Sequence, residues 1–377
     1  MNTTVVTDSA AVAADRSTPP LLVVEDLHTS FVMPAGEVKA VRGVSFELHQ
    51  GKTLGVVGES GSGKTVLARS VMRLNLGNNV LTTGSAKFKG LSILDQPPKK
   101  MQKLWGTEIA MVFQDPMTAL NPLVKIGRQM TEHVRHHLGI SNKEACSFAK
   151  ELLNAVRIPG PFENRLDTYP HELSGGMRQR ICIAIALACE PTLLFADEPT
   201  TALDVTVQHQ ILNLLNREQE TREMAMVLVT HDLGVVAGRT DETMVMYAGS
   251  VVEKTSTKEL FKNMQHPYTE ALFRSIPKTS ERSHTRLTAI AGRPPDLIDS
   301  PSGCSFSPRC PYVQQKCREE KPSLIPVGDG SHLSACWFPV GSEENQEAFK
   351  KNVASGLPQA LVVEEALMEN PTKESGV

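Results

Sequence analysis

No part of the 377-residue sequence approaches the ~18 consecutive apolar residues that a membrane-crossing helix needs. The best run, Ile181 to Ala188, is short and leads into Glu190 and Pro191. Residues 1–20 lack the basic start and apolar core of a signal peptide, carry Asp8 and Asp15, and read as a disordered leader. The expectation is a cytoplasmic chain that reaches a membrane only if other subunits hold it there. Charge of one sign is also missing. Lys and Arg total 39 against 42 Asp and Glu, a net charge of -3 with a pI near 6.4. No basic face is announced, so nucleic acid is not an expected partner. A disulfide framework is not expected of the seven cysteines in a cytosolic chain. No internal repeat is evident, which argues against a solenoid or array. With 40% hydrophobic and 21% charged residues, the chain suits one large soluble domain or two.

What is present is concentrated in a few motifs. Gly58, Glu59, Ser60, Gly61, Ser62, Gly63, Lys64 and Thr65 fit G-x-x-x-x-G-K-S/T. An apolar run, Thr53 to Val57, precedes them, and Val66 to Arg73 follows with helical spacing. In a strand–loop–helix context the glycines let backbone N–H groups face phosphate oxygens at a helix N-terminus. Lys64 can reach the outer phosphates, and Thr65 can offer a hydroxyl to Mg²⁺.

Asp197 and Glu198 close a second apolar run, Leu193 to Ala196. An acid there can hold Mg²⁺, and the next can orient or polarise the attacking water. The same pair also reads as a helix start before Pro199. Ser174, Gly175 and Gly176 open a helical run and form a second anion site. Whether both anion sites serve one nucleotide is not decided by the residues.

Strand patterns at Leu21 to Val24, Leu27 to Phe31 and Val44 to Leu48 suggest a small antiparallel sheet before the loop. Further strands are expected at residues 108–113, 192–196 and 225–229, with a hairpin turning at Ala248 and Gly249. Residues 117–185 look mostly helical. Strands alternating with helices point to an α/β core with a mainly parallel sheet. The expected organisation is a leader over 1–20 and a nucleotide-binding α/β domain over 21–262. A small Pro/Cys-rich module over 263–340 and a polar tail over 341–377, with one short helix near Gln359 to Met368, complete it.

These motifs in this order resemble the ATP-binding subunits of ATP-binding-cassette transporters, over about Leu21 to Glu253. The matching residues are the Walker A loop 58–65, Gln114, the Leu173 to Met177 signature, the Walker B strand ending at Asp197, and Glu198. Ala202, Leu203 and Asp204 resemble the D-loop, and His231 the switch histidine. The resemblance implies a P-loop NTPase core with an antiparallel β subdomain and a helical signature subdomain. It implies ATP and Mg²⁺ as ligands, with Thr65, Gln114 and Asp197 around the metal. Glu198 would be the general base or water-orienter, and His231 would contact the γ-phosphate. Phe31 stands where the family packs an aromatic ring on adenine; the plain alternative is a strand core residue. Head-to-tail pairing would give Ser174, Gly175 and Gly176 to the partner's nucleotide.

A finer resemblance points to the dipeptide and oligopeptide importer branch. It rests on Phe113 to Pro122, Leu173 to Arg180, Pro199 to Gln208, His266 to Thr269 and Gly303 to Pro311. It implies a second, homologous ATPase chain, two permease subunits and an external binding protein, with this chain peripheral on the cytoplasmic face. Nickel, glutathione or sugar are alternative cargoes in that branch. A soluble cassette ATPase acting on ribosomes or DNA is the remote alternative.

Cys304, Cys310, Cys317 and Cys336 are spaced C-x5-C-x6-C-x18-C. Zinc knuckles are absent, and a 4Fe–4S cluster held by the four thiolates is the expectation. Zinc or reduced structural cysteines are the alternatives, and His332 could replace one thiol. Cys182 and Cys189 read as small core residues of the helix after the signature.

Overall fold

A computed structural model describes residues 19–201, 203–276, 290–298, 301–328 and 330–369. The expected leader, apart from Pro19 and Pro20, and Ala202 of the D-loop lie outside them. Among the described residues the chain builds two sheets, one of four strands and one of eight.

The smaller sheet is antiparallel and runs Gly36–Leu48, Leu22–Met33, Val80–Phe88, Leu91–Ser92. The two short patterns at 21–24 and 27–31 belong to one strand, interrupted by a bulge at Asp26, whose φ is 46°. Val80–Phe88 escaped the sequence reading because most of its residues are exposed.

The larger sheet has the order Ile325–Val327, His332–Ser334, Ser250–Ser256, Glu242–Tyr247, Thr53–Val57, Ala225–Thr230, Leu193–Asp197, Ile109–Val112. The five strands from Glu242–Tyr247 to Ile109–Val112 are parallel. Thr53–Val57, Leu193–Asp197 and Ala225–Thr230 are buried at every residue, as strands covered on both faces must be. Their continuous apolar sequences follow from that position. Asp197, Glu198 and residues 58–65 therefore emerge at the same, C-terminal edge of the sheet, where α/β folds bind ligands.

The helical portion packs Ile126–Leu138, Asn142–Ala155 and Gly175–Leu187 around one apolar cluster that includes Met130, Leu153, Ile181 and Leu194. Ser141 and Glu144 form a capping box at the second of these helices, a device worth about 1 kcal/mol. Cys182 is buried in this cluster, whereas Cys189 lies just beyond the end of the helix that the sequence assigned it to.

Beyond residue 263 the chain continues the core. His332–Ser334 pairs with Ser250–Ser256 and extends the main sheet. Tyr268, Leu272, Phe306, Tyr312 and Val313 share a buried cluster with Val57, Val245 and Tyr247. The stretch expected to be a tail with one helix carries two, Glu343–Ala354 and Pro358–Glu369, the first capped by Ser342.

Candidate active site

Gly58 ends the strand Thr53–Val57 and is packed so tightly that a Cβ there would meet the Met246 carbonyl oxygen at 2.2 Å. Gly63 takes φ 100° against the Ala40 carbonyl, where a side chain has no room. The loop thus curls over the N-terminus of the helix Lys64–Val71. Lys64 is buried, and its Nζ donates to the carbonyls of Gly58 at 2.7 Å and Glu59 at 2.9 Å. Burial lowers its pKa, and Glu198, Asp197 and Glu59 oppose that shift.

Thr65 Oγ1 donates to Asp197 Oδ1 at 2.9 Å. Asp197 Oδ2 is buried and has no hydrogen-bond partner among the described residues. Burial raises the pKa of this carboxyl, while Thr65, Arg69 and Lys64 pull it back. An orphaned carboxylate oxygen beside a hydroxyl at the phosphate loop is a donor set that fits Mg²⁺. Thr65 and Asp197 would hold that ion.

Glu198 adopts φ 44°, a left-handed backbone rare outside glycine. A turn follows it, so the helix-start reading of this acid pair does not hold. Its Oε2 accepts from Gln114 Nε2 at 3.1 Å and Thr201 Oγ1 at 2.8 Å, and lies 3.2 Å from His231 Nδ1. Three residues expected from the sequence thus meet at one carboxylate oxygen. Gln114 binds Glu198 here rather than the Asp197 side. Thr201 was not anticipated; its position three residues after Glu198 was the available signal.

Ser174 caps the helix Gly175–Leu187 by accepting from Met177 N at 3.3 Å. A Cβ on Gly176 would meet Val207 at 2.8 Å. Among the described residues no hydrogen bond joins residues 174–176 to the phosphate loop. Phe31 is half-buried, paired across the sheet with Val38 and Val80, and is likewise not joined to the loop. Asp204 caps the helix Val205–Arg222 through Val207 N.

The cysteine expectation fares differently. Among the described residues no group of three or more His, Cys, Asp or Glu side chains is arranged to hold a metal ion. The iron–sulfur and zinc readings therefore draw no support from this geometry. Burial raises the pKa of all four thiols, that of Cys336 to about 12, which favours the protonated form. Cys336 Sγ donates to the Phe338 carbonyl. His332 is not free to replace a thiol, because its Nε2 lies 2.7 Å from buried Glu253 Oε1.

Residues 41–201 match the ABC transporter family, and residues 252–317 match the oligopeptide/dipeptide transporter C-terminal region. The oligopeptide transport ATP-binding protein OppD of Salmonella typhimurium is 44% identical over 330 residues, covering 88% of this chain and 97% of that protein. The dipeptide transport ATP-binding protein DppD of Lactococcus lactis is 46% identical over 319 residues, covering 84% and 90%. Among solved structures, the dimeric ATP-binding cassette MJ0796, in a post-hydrolysis state bound to ADP and Pi, superposes with a TM-score of 0.57. It is 25% identical and covers 63% of this chain and 98% of that one. Similarity to such proteins over 84–88% of this chain, joined to an intact loop, Asp197 and Glu198, shows that this chain belongs to the ATP-binding subunits of the oligopeptide/dipeptide branch of ABC transporters, which couple ATP hydrolysis to transport.

Proposed function

We propose that this chain powers the uptake of di- or oligopeptides. It would do so beside a second, homologous ATPase chain, on two permease subunits fed by an external binding protein, at the cytoplasmic face of the membrane. The observation that carries the reading is the convergence of Gln114, Thr201 and His231 on Glu198 beside the Thr65–Asp197 pair. Lys64 and the loop N–H groups bind phosphate. Glu198, held from one side, orients and deprotonates the attacking water, and His231 bridges it to the γ-phosphate. Mg²⁺, when bound at Thr65 and Asp197, supplies charge for the outer phosphates. Ser174, Gly175 and Gly176, which make no hydrogen bond to this chain's own loop among the described residues, are available to a partner's nucleotide, and Phe31 to adenine.

A cavity of about 470 Å³ supports the permease assignment. Met111, Phe113, Leu120, His133 and Ile185 line it, and Phe113 immediately precedes Gln114 in the chain. Phe113 and nearby Met117 and Leu123 expose apolar side chains. A cytoplasmic segment of a permease seated there would act on Gln114, and through it on Glu198. Among the described residues no helix is long and apolar enough to cross a membrane.

The test is the ATPase rate of the complex purified with this chain, with the binding protein and short peptides added. Stimulation by peptides supports the reading. Stimulation by nickel, glutathione or sugars instead moves the cargo and leaves the transporter ATPase intact.

A second reading keeps a 4Fe–4S cluster at Cys304, Cys310, Cys317 and Cys336. Its support is the C-x5-C-x6-C-x18-C spacing alone, since no such ligand set is formed among the described residues. About four iron and four sulfide per anaerobically purified chain is the expected content. Iron-free protein with four titratable thiols removes the cluster.

A further inference from the structure

Two side chains from beyond residue 263 close on one residue of the phosphate loop. Arg309 is almost fully buried, with 3% of its side chain exposed, and forks onto Glu59: Nη1 to Oε2 at 2.6 Å and Nη2 to Oε1 at 3.0 Å. Its remaining donors go to Tyr247 OH, Ile290 O and Ala291 O. A guanidinium carries five N–H donors, and each has an acceptor here, but only Glu59 brings a charge. Without Glu59 the buried cation would be unpaired. Tyr268, fully buried against Tyr247 and Phe306, accepts from the Glu59 backbone N–H at 2.7 Å. Glu59 in turn offers its carbonyl to Lys64 Nζ. Nearby, Lys39 N donates to Leu297 O, and Pro294, Pro295 and Leu297 lie along Glu59 to Ser62.

The side chain, the N–H and the C=O of Glu59 are thus all committed. Two of these ties run to the C-terminal segment and one to the phosphate-binding lysine. We propose that Arg309 and Tyr268 are positioning residues that hold the phosphate loop in its ATP-binding shape, which makes the C-terminal segment a determinant of nucleotide affinity. If the contact only fastens the segment to the core, affinity will not depend on it.

Calorimetric titration of the full-length chain with ATP and Mg²⁺, below the unfolding temperature of each variant, separates the two. Arg309→Gln should weaken Kd about tenfold, and Tyr268→Phe, which keeps the ring packing, about threefold. Glu59→Gln combined with Arg309→Gln should be no weaker than Arg309→Gln alone, since both break one link. In steady state the KM for ATP should rise more than kcat falls. If Arg309→Gln does not fold, Tyr268→Phe carries the test. Kd within about twofold of the parent in the folded variants, or additive effects in the double variant, overturns the proposal.

Discussion

His231 Nδ1 and Glu198 Oε2 stand 3.2 Å apart, and that oxygen also receives Gln114 and Thr201. All three contacts converge on one oxygen of the carboxylate. They fix its rotation. Glu198 takes its left-handed backbone directly after the strand that carries Asp197, and its N–H is held there by the Val229 carbonyl.

Replacing Glu198 with Gln keeps the side-chain shape and removes the carboxylate to which the proposed function gives the base role. Hydrolysis should fall about 10²- to 10⁴-fold, while ATP binding persists and the closed pair of ATPase chains is trapped. Phosphate release and retained nucleotide on the complex measure this. Thr201→Val removes one donor and should cost about tenfold in kcat or less. Rapid turnover by Glu198→Gln would displace this residue from the base role.

Glu253 is fully buried and accepts from Gln265 N at 2.6 Å and His266 N at 3.0 Å, with His332 Nε2 at 2.7 Å. It ties the last antiparallel strands to the helix Pro267–Arg274. Glu253→Ala strands two buried N–H groups and should destabilise the fold by about 3 kcal/mol or more. Denaturant unfolding gives the number. Hydrogen exchange should show the amides of residues 263–276 and 325–334 losing protection first, and uniform loss would separate Glu253 from this role.

The nucleotide loop, both acids, Gln114 and His231 were legible because each ends or follows a short apolar run at the same sheet edge. Strand ends are visible in sequence, and the parallel order brings them together. What escaped is what depends on distant pairing. Arg309 and Glu59 are 250 positions apart, and Tyr268 and Glu59 are 209. Both lay inside motifs read only as marks of a branch, since spacing does not reveal which loop a buried arginine will face. The extension of the sheet by His332–Ser334 was hidden for a similar reason. Three residues give no periodicity, and their partner strand is nearly eighty positions away.

His266 offers a pH test of the C-terminal packing. Burial lowers its pKa from 6.5 to about 4, more than Glu253 nearby raises it. Its Nδ1 accepts from Tyr268 N at 3.1 Å and caps the helix Pro267–Arg274, a role that requires the neutral ring at that nitrogen. Between about pH 6.5 and about 4 the unfolded chain binds a proton that the folded chain refuses, so stability falls as pH falls through that window and is flat above it. His133, also lowered to about 4 by burial and then by His137 and His136, adds in the same direction. The His266 share is on the order of 3 kcal/mol. In His266→Asn the amide oxygen can still cap Tyr268, and no proton is taken up in this range. Its unfolding temperature should therefore fall less steeply than that of the parent from pH 7 to pH 4.5. Parallel profiles for the two proteins would mean that His266 is not the group that titrates.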